Sequence, residues 1–103
     1  MAKVAFMIRH IVLFTWTEEA TDEQKARVVT ELRKLPGQIP QLRSYTVGAD
    51  AGINQGTWDF AVVADFDNAD DYLVYRDDPG HQAVIAEHIK PIVAGRAAVQ
   101  LSL

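Results

Sequence analysis

The sequence has no cysteine, few cations and no long apolar run, and each of these absences excludes a class of function. Without cysteine, the 103 residues can form no disulfide, no thiolate metal site and no cysteine nucleophile. Ten Lys and Arg against fourteen Asp and Glu give a formal net charge of -4. The cations form no stripe that could neutralise a phosphate backbone, so we expect no nucleic-acid partner.

The apolar stretches are too short to cross a membrane. The N-terminal "MAKVAFMIRH" is interrupted by Arg9, which leaves neither a signal-peptide core nor a membrane span. The lack of cysteine is compatible with a reducing compartment. We therefore predict a cytoplasmic protein with no membrane partner.

A chain of this length is expected to form one domain with two layers of secondary structure. β-branched and aromatic residues indicate its strands, whereas capping residues and apolar stripes indicate its helices. Thr21 and Gln24 form a capping box, Asn68 can cap a short helix as far as Asp77, and Pro79 restarts a helix. The predicted strands cover residues 7–16, 42–48, 58–66 and 96–103.

The order strand, helix, strand, strand, helix, strand predicts an α+β fold of the ferredoxin-like βαββαβ type. Two helices would cover one face of a four-stranded antiparallel sheet. The first and third strands are apolar on both faces, so the other face needs cover, and a second copy of the chain is the simplest one. We predict a homodimer and expect that a charge at Phe14 or Val62 breaks it.

Four segments together carry a resemblance to a known family. They are "IRHIVLF" on the first strand, "LPGQIP" after the first helix, "WDFAVVADF" on the third strand and "YRDDPGHQAV" at the start of the second helix. In this order and spacing they resemble the stress-responsive A/B barrel family, Dabb, whose members are small dimeric α+β barrels. The resemblance implies a single domain over residues 7–103, preceded by an N-terminal extension, residues 1–6.

One branch of this family comprises polyketide cyclases, which close a linear poly-β-keto chain by aldol chemistry; most members have no assigned reaction. In the cyclases, acid–base work belongs to a Tyr and a His in a Tyr-x-x-x-Pro-x-His segment, which Tyr75, Pro79 and His81 match. His10 matches a first-strand His of the same enzymes. Their third-strand His is replaced here by Phe60.

The resemblance makes His81, Tyr75 and His10 the candidate catalytic residues, and elementary chemistry supports that choice. A neutral imidazole can remove a proton next to a carbonyl, and a phenol can hold the enolate oxygen, so such a reaction needs no cofactor. Each residue also has an ordinary structural interpretation. In that interpretation His81 has no role beyond the start of a helix, Tyr75 is a core residue, and His10 is a hydrogen-bonded core or interface residue.

No metal site is predicted. His81 and His88 lie seven residues apart, whereas helical metal ligands on adjacent turns are three or four apart. The acidic residues of the segment 67–72 suit the positive end of a helix better than they suit a hard cation.

Bulky apolar residues are expected to line a cavity between the sheet and the helices. The candidate ligand-binding residues are Phe14, Phe60, Trp58, Val84 and Ile85. Such walls favour a flat, apolar or aromatic ligand.

Three functions remain open at this point. The first, which we favour, is a dimeric protein that binds a small apolar or aromatic metabolite without a known reaction. The second is a cofactor-independent, cyclase-like enzyme acting on a poly-keto or phenolic substrate. The third is a structural role in larger oligomers. Catalysis requires the imidazole and the phenol to reach one substrate position, and cavity geometry therefore separates the second function from the first.

Overall fold

The computed structural model describes residues 6–103, which form four strands and three short helices. The strands are β1 (Ile8–Trp16), β2 (Ser44–Ala49), β3 (Phe60–Phe66) and β4 (Val93–Ser102). The helices are α1 (Asp22–Leu32), α2 (Ala69–Asp77) and α3 (Pro79–Val84). A 3₁₀ turn, Leu35–Gly37, follows α1, and a π-helical turn, Ile85–Ile89, continues α3. Residues 1–5 of the predicted extension lie outside the described residues, so the division at residue 7 stays a prediction.

The four strands form one antiparallel sheet in the order β2-β3-β1-β4. This order, with the helices between strands, confirms the predicted ferredoxin-like fold. The register pairs His10 with Ala64 on β3 and with Gln100 on β4. A residue on β1 therefore has neighbours from two other parts of the chain.

Side-chain hydrogen bonds at the helix starts confirm the capping predictions. Thr21 Oγ1 accepts from the Gln24 backbone N–H at 3.1 Å, and Gln24 Oε1 accepts from the Thr21 N–H at 2.9 Å. Asn68 Oδ1 accepts from the backbone of α2 at 2.8 Å. Pro79 begins α3 as predicted, because its fixed φ suits the first helical turn.

The core lies between the sheet and the helices. Along β1, His10, Val12 and Phe14 are buried, while the residues between them are half-buried. This alternation follows from the two-residue period of a strand and directs the even-numbered side chains towards the helices. From α1, Val28 and Leu32 pack into the same core at 0% and 1% exposure.

The face of the sheet without helices carries half-buried and exposed apolar side chains: Ile11, Leu13, Val63, Val99 and Leu101. Phe14 and Val62, where a charge was expected to break the dimer, do not lie on this face. Both lie on the helix side and are at most 6% exposed, so a charge there would enter the core of the subunit. Apolar strands with two similar faces give no sequence signal for which face the helices cover.

Each strand differs from the sequence prediction by one to three residues at an end, and the starts of β3 and β4 matter for the site. β3 begins at Phe60 instead of Trp58, because Asp59 is bound to the end of β1, where its carboxylate accepts from the Trp16 N–H at 2.8 Å. β4 begins at Val93, three residues earlier than predicted, since a register shift between Thr15 and Trp16 lets Val93 pair with Trp16.

Candidate functional site

A cavity of about 370 Å³ lies between the helix side of the sheet and the segment α2–α3. This volume lies within the range of small-molecule sites. Most of its walls are apolar, and its titratable lining residues come from β1, α2, α3, β4 and the position directly after the π-helical turn. The lining residues are His10, Val12, Phe14, Leu32, Val62, Tyr75, His81, Ile85, Ile89, Lys90, Val93 and Arg96.

His81 is held by the start of α3. Its backbone N–H donates to Asp78 Oδ2 at 3.0 Å, which fixes the first turn of the helix. Its ring atom Nδ1 lies 3.3 Å from the carbonyl oxygen of Arg76. Because a carbonyl only accepts, Nδ1 carries the proton and Nε2 of the neutral ring keeps a lone pair.

Burial lowers the pKa of His81, although the backbone carbonyls of Arg76 and Tyr75 oppose that shift. The residue as a whole is only 9% exposed. His81 is consequently neutral at pH 7 and can act as a base through Nε2.

His10 has the opposite arrangement. The side-chain amide nitrogen of Gln100 donates to His10 Nδ1 at 2.8 Å. Since Nδ1 accepts this bond, the neutral ring carries its proton on Nε2. Burial, followed by the positive charge of Arg96 and by His81, lowers the pKa of His10 to about 4. His10 is therefore a neutral donor at pH 7.

Both Nε2 atoms keep contact with solvent. Among residues 6–103, no side-chain hydrogen bond engages either Nε2, and no buried side-chain nitrogen or oxygen lacks a partner. Each residue is otherwise more than nine-tenths buried and lines the cavity. The accessible side of each ring is thus the cavity side, which offers one acceptor and one donor.

Tyr75 connects the two imidazoles. Its ring stacks on His81 with centroids 4.0 Å apart and lies 6.1 Å from the His10 ring. Its hydroxyl is hydrogen-bonded to the hydroxyl of Tyr45 on β2 at 3.0 Å, and either oxygen can be the donor. Burial raises the pKa of Tyr75 and raises that of Tyr45 to about 12, so both phenols stay protonated.

The structure brings the three candidate catalytic residues to one cavity, together with Phe14 and Ile85. It does not bring the other three candidate ligand-binding residues there. Val84 is packed in the core, and Phe60 lies behind Phe14 with ring centroids 6.3 Å apart.

Trp58 lies in a different cleft, beside Leu13 and Gly48, and is 37% exposed. The prediction that Trp58 lines the same cavity as His10 is wrong, because β3 starts at Phe60 and Trp58 lies before it. The alternation that places Phe60 on the helix side does not extend to a residue outside the strand.

Several site residues were missed by sequence reasoning. Tyr45 has a signal that could have found it, since strand alternation places it on the same face as the buried Val47. Gln100 and Arg96 have none, because their positions beside His10 and Phe14 depend on the β1–β4 register.

Two further properties concern the described part of the chain as a whole. No cluster of three or more His, Asp or Glu side chains is placed to hold a metal ion within residues 6–103. Over the same residues, no helix is long and apolar enough to cross a lipid bilayer.

A four-stranded antiparallel sheet of this order, with its helices on one face, defines an α+β protein with a ferredoxin-like fold. Residues 8–103 match the family model of the stress responsive A/B barrel domain, Dabb. The chain belongs to this family, and the resemblance found in its sequence is confirmed.

Solved structures of similar proteins include two of unknown function. A dimeric ferredoxin-like protein from Thermobifida fusca is 47% identical, with a TM-score of 0.89 over 96% of this chain and 92% of its own. A dimeric protein of ferredoxin-like fold from Bacteroides fragilis is 31% identical, with a TM-score of 0.78 over 94% of this chain and 96% of its own.

A third structure belongs to an enzyme, the hydroxynitrile lyase of Passiflora edulis. It is 16% identical, with a TM-score of 0.83 over 97% of this chain and 95% of its own. At this identity the likeness is one of fold alone.

Proposed function

We propose that the protein is a homodimer in which each subunit binds a small apolar or aromatic molecule in the cavity between sheet and helices. The observation that carries this proposal is the cavity itself, which has mostly apolar walls and two imidazoles deep inside, those of His10 and His81, with the ring of Tyr75 beside them. Ligand sites commonly combine a mostly apolar lining with a few polar groups that fix orientation.

Two observations support the dimer. The homologous proteins from Thermobifida fusca and Bacteroides fragilis are dimeric. In this chain, the sheet face opposite the helices carries apolar side chains that are only partly covered, among them Leu13 and Val63. A second copy that packs on this face would remove these side chains from water.

Ligand binding can be tested by NMR spectroscopy of the three histidines during titration with 2-naphthol, a flat phenol. We expect the signals of His10 and His81 to move together, while those of His88, outside the cavity, stay in place. The variant Ile85→Phe narrows the cavity and should weaken binding, whereas Val74→Phe, on the exposed side of α2, should not. Unchanged His10 and His81 signals, or equal effects of both variants, would contradict the proposal.

A second function, general acid–base catalysis on a carbonyl compound, is favoured by the opposite tautomers of the two imidazoles. Nε2 of His81 would take a proton from the carbon next to the carbonyl, and the electron pair of that C–H bond would form an enolate. Nε2–H of His10 would donate a hydrogen bond to the enolate oxygen. The enolate carbon would then attack a second carbonyl, whose π electron pair moves onto its oxygen, and that oxygen would take the proton held by His81. This aldol addition, as in cyclase chemistry, needs no cofactor. The lyase from Passiflora edulis supports this candidate only by carrying the same fold.

Exchange of α-protons for deuterium separates binding from catalysis. We would incubate benzylacetone with the protein in D₂O and follow the loss of its α-proton signals. An enzyme accelerates exchange over buffer, His81→Gln abolishes the acceleration, and His88→Gln retains it. Exchange at the buffer rate, with normal binding of the compound, would leave ligand binding as the function.

A further inference from the structure

The cavity has two charged lining residues, and both are cations. Lys90 follows the π-helical turn and Arg96 lies on β4. Both residues are exposed, so they stand at the mouth of the cavity, while the neutral imidazoles lie deeper. None of the residues that line the cavity is acidic.

Neither cation has a carboxylate partner within residues 6–103. The segment 1–5 contains no Asp or Glu that could supply one. Three arginines elsewhere are each paired with an aspartate: Arg9 with Asp65, Arg43 with Asp67 and Arg76 with Asp77. In a chain of net charge -4, two cations without partners at one cavity make its mouth locally positive.

Arg96 is directed to the helix side of the sheet. It is paired in register with Phe14, and Gln100, four residues further along β4, is paired with His10. Residues four apart on a strand share a face, so Arg96 lies on the face that carries His10. Its charge contributes to the lowered pKa of His10, in agreement with that proximity.

We propose that the ligand of this cavity carries a carboxylate, which pairs with Arg96 and Lys90 at the mouth while its apolar body lies against the inner walls. The proposal rests on the proposed function, since it requires that the cavity bind a small apolar or aromatic molecule. The planar guanidinium of Arg96 matches a carboxylate in shape and charge. Such a ligand is held with its acidic end outward and its other end towards His81 and His10.

The test compares two ligands of nearly the same shape, the anion 2-naphthoate and the neutral amide 2-naphthamide. We expect calorimetry to give about tenfold tighter binding for the carboxylate, a preference typical of a charge-assisted contact at a partly exposed site. Arg96→Gln and Lys90→Gln should each reduce this preference without changing the affinity for the amide. Arg33→Gln removes an exposed cation outside the cavity and should leave both affinities unchanged.

The two proposals fail in different ways. If the carboxylate and the amide bind equally well to the wild-type protein, the carboxylate site is refuted and the apolar ligand site stands. If Arg33→Gln reduces the preference as much as Arg96→Gln, the effect comes from net charge, and the carboxylate site is again refuted. If neither compound binds or moves the His10 and His81 signals, the ligand-binding function fails together with this inference.

Discussion

The imidazole of His81 stacks on the phenol ring of Tyr75, with centroids 4.0 Å apart and ring planes inclined by 27°. The two residues lie on different helices, α2 and α3, and Asp78 between them caps the second of these helices. The Tyr-x-x-x-Pro-x-His spacing therefore has two structural consequences. It starts a helix, and it places a phenol and an imidazole at one cavity.

The hydrogen bond between Tyr45 and Tyr75 should stabilise the fold, because it joins a half-buried tyrosine of β2 to a buried tyrosine of α2 at 3.0 Å. A double-mutant cycle with Tyr45→Phe and Tyr75→Phe is expected to give a coupling free energy of about 1 kcal/mol. The measurement is urea denaturation of the four proteins. Additive effects of the two substitutions would mean that the hydroxyls do not support each other in solution.

Stability should fall as the pH falls from about 6.5 to about 4, because the pKa of His10 is lowered from 6.5 to about 4 in the folded chain. Between these values the unfolded chain binds a proton that the folded chain does not, so acid favours unfolding. The contribution of His10 is at most roughly 3 to 4 kcal/mol, at about 1.4 kcal/mol for each pKa unit. The free energy of unfolding, measured by urea denaturation from pH 7.5 to 4, checks this.

The matched variant is His10→Gln, which keeps a polar side chain and removes the titration. We expect its stability to depend less on pH over the same window. Carboxylates with lowered pKa values, such as Asp65, contribute to both curves and cancel in the comparison. Parallel curves for the two proteins, or a His10 pKa near 6.5 in a direct NMR titration, would refute the prediction.

The fold could be predicted from the sequence because it depends on local signals. The helix caps, the proline at the start of α3 and the alternation along β1 each act within a few residues. The meeting of Tyr75 and His81 was predictable for the same reason, since six residues separate them. His10 was placed with them by its apolar strand and by the family resemblance.

The rest of the site depends on pairing between distant parts of the chain. Gln100 acts on His10 across 90 residues of sequence, and only the β1–β4 register brings them together. Trp58 was assigned to the wrong cleft because the true start of β3 is set by contacts of Asp59 with the end of β1. The pairing register of two strands and the residue at which a strand starts cannot be read from composition or from residue spacing.

The dimer should form through the sheet face that the helices leave uncovered. Leu13→Asp places a charge in the middle of this face, where burial against a second copy would be costly, and should give a monomer. Val74→Asp makes the same kind of change on α2, where the side chain is 47% exposed, and should leave the dimer intact. Sedimentation equilibrium measures both.

A Leu13→Asp protein that remains dimeric would place the interface elsewhere. Wild-type assemblies larger than a dimer that persist on dilution would favour a structural role. Circular dichroism of the variant checks that its fold is retained. A fall of the molecular mass from dimer to monomer then reports on the interface.

The opposite tautomers of His10 and His81 can be observed directly. They decide whether the cavity presents the base and the donor that the acid–base hypothesis requires. Long-range ¹H–¹⁵N correlation spectra at pH 7 should show His10 protonated at Nε2 and His81 at Nδ1, as their partners Gln100 and the Arg76 carbonyl require. Gln100→Leu removes the donor to His10 Nδ1 and should allow that ring to mix tautomers, while the His81 spectrum stays unchanged. If both rings carry the proton on the same nitrogen in the wild-type protein, the cavity does not present one donor and one acceptor. The cavity would then lack either the base at His81 Nε2 or the donor at His10 Nε2 that enolate formation needs, and binding without a reaction would be the function to pursue.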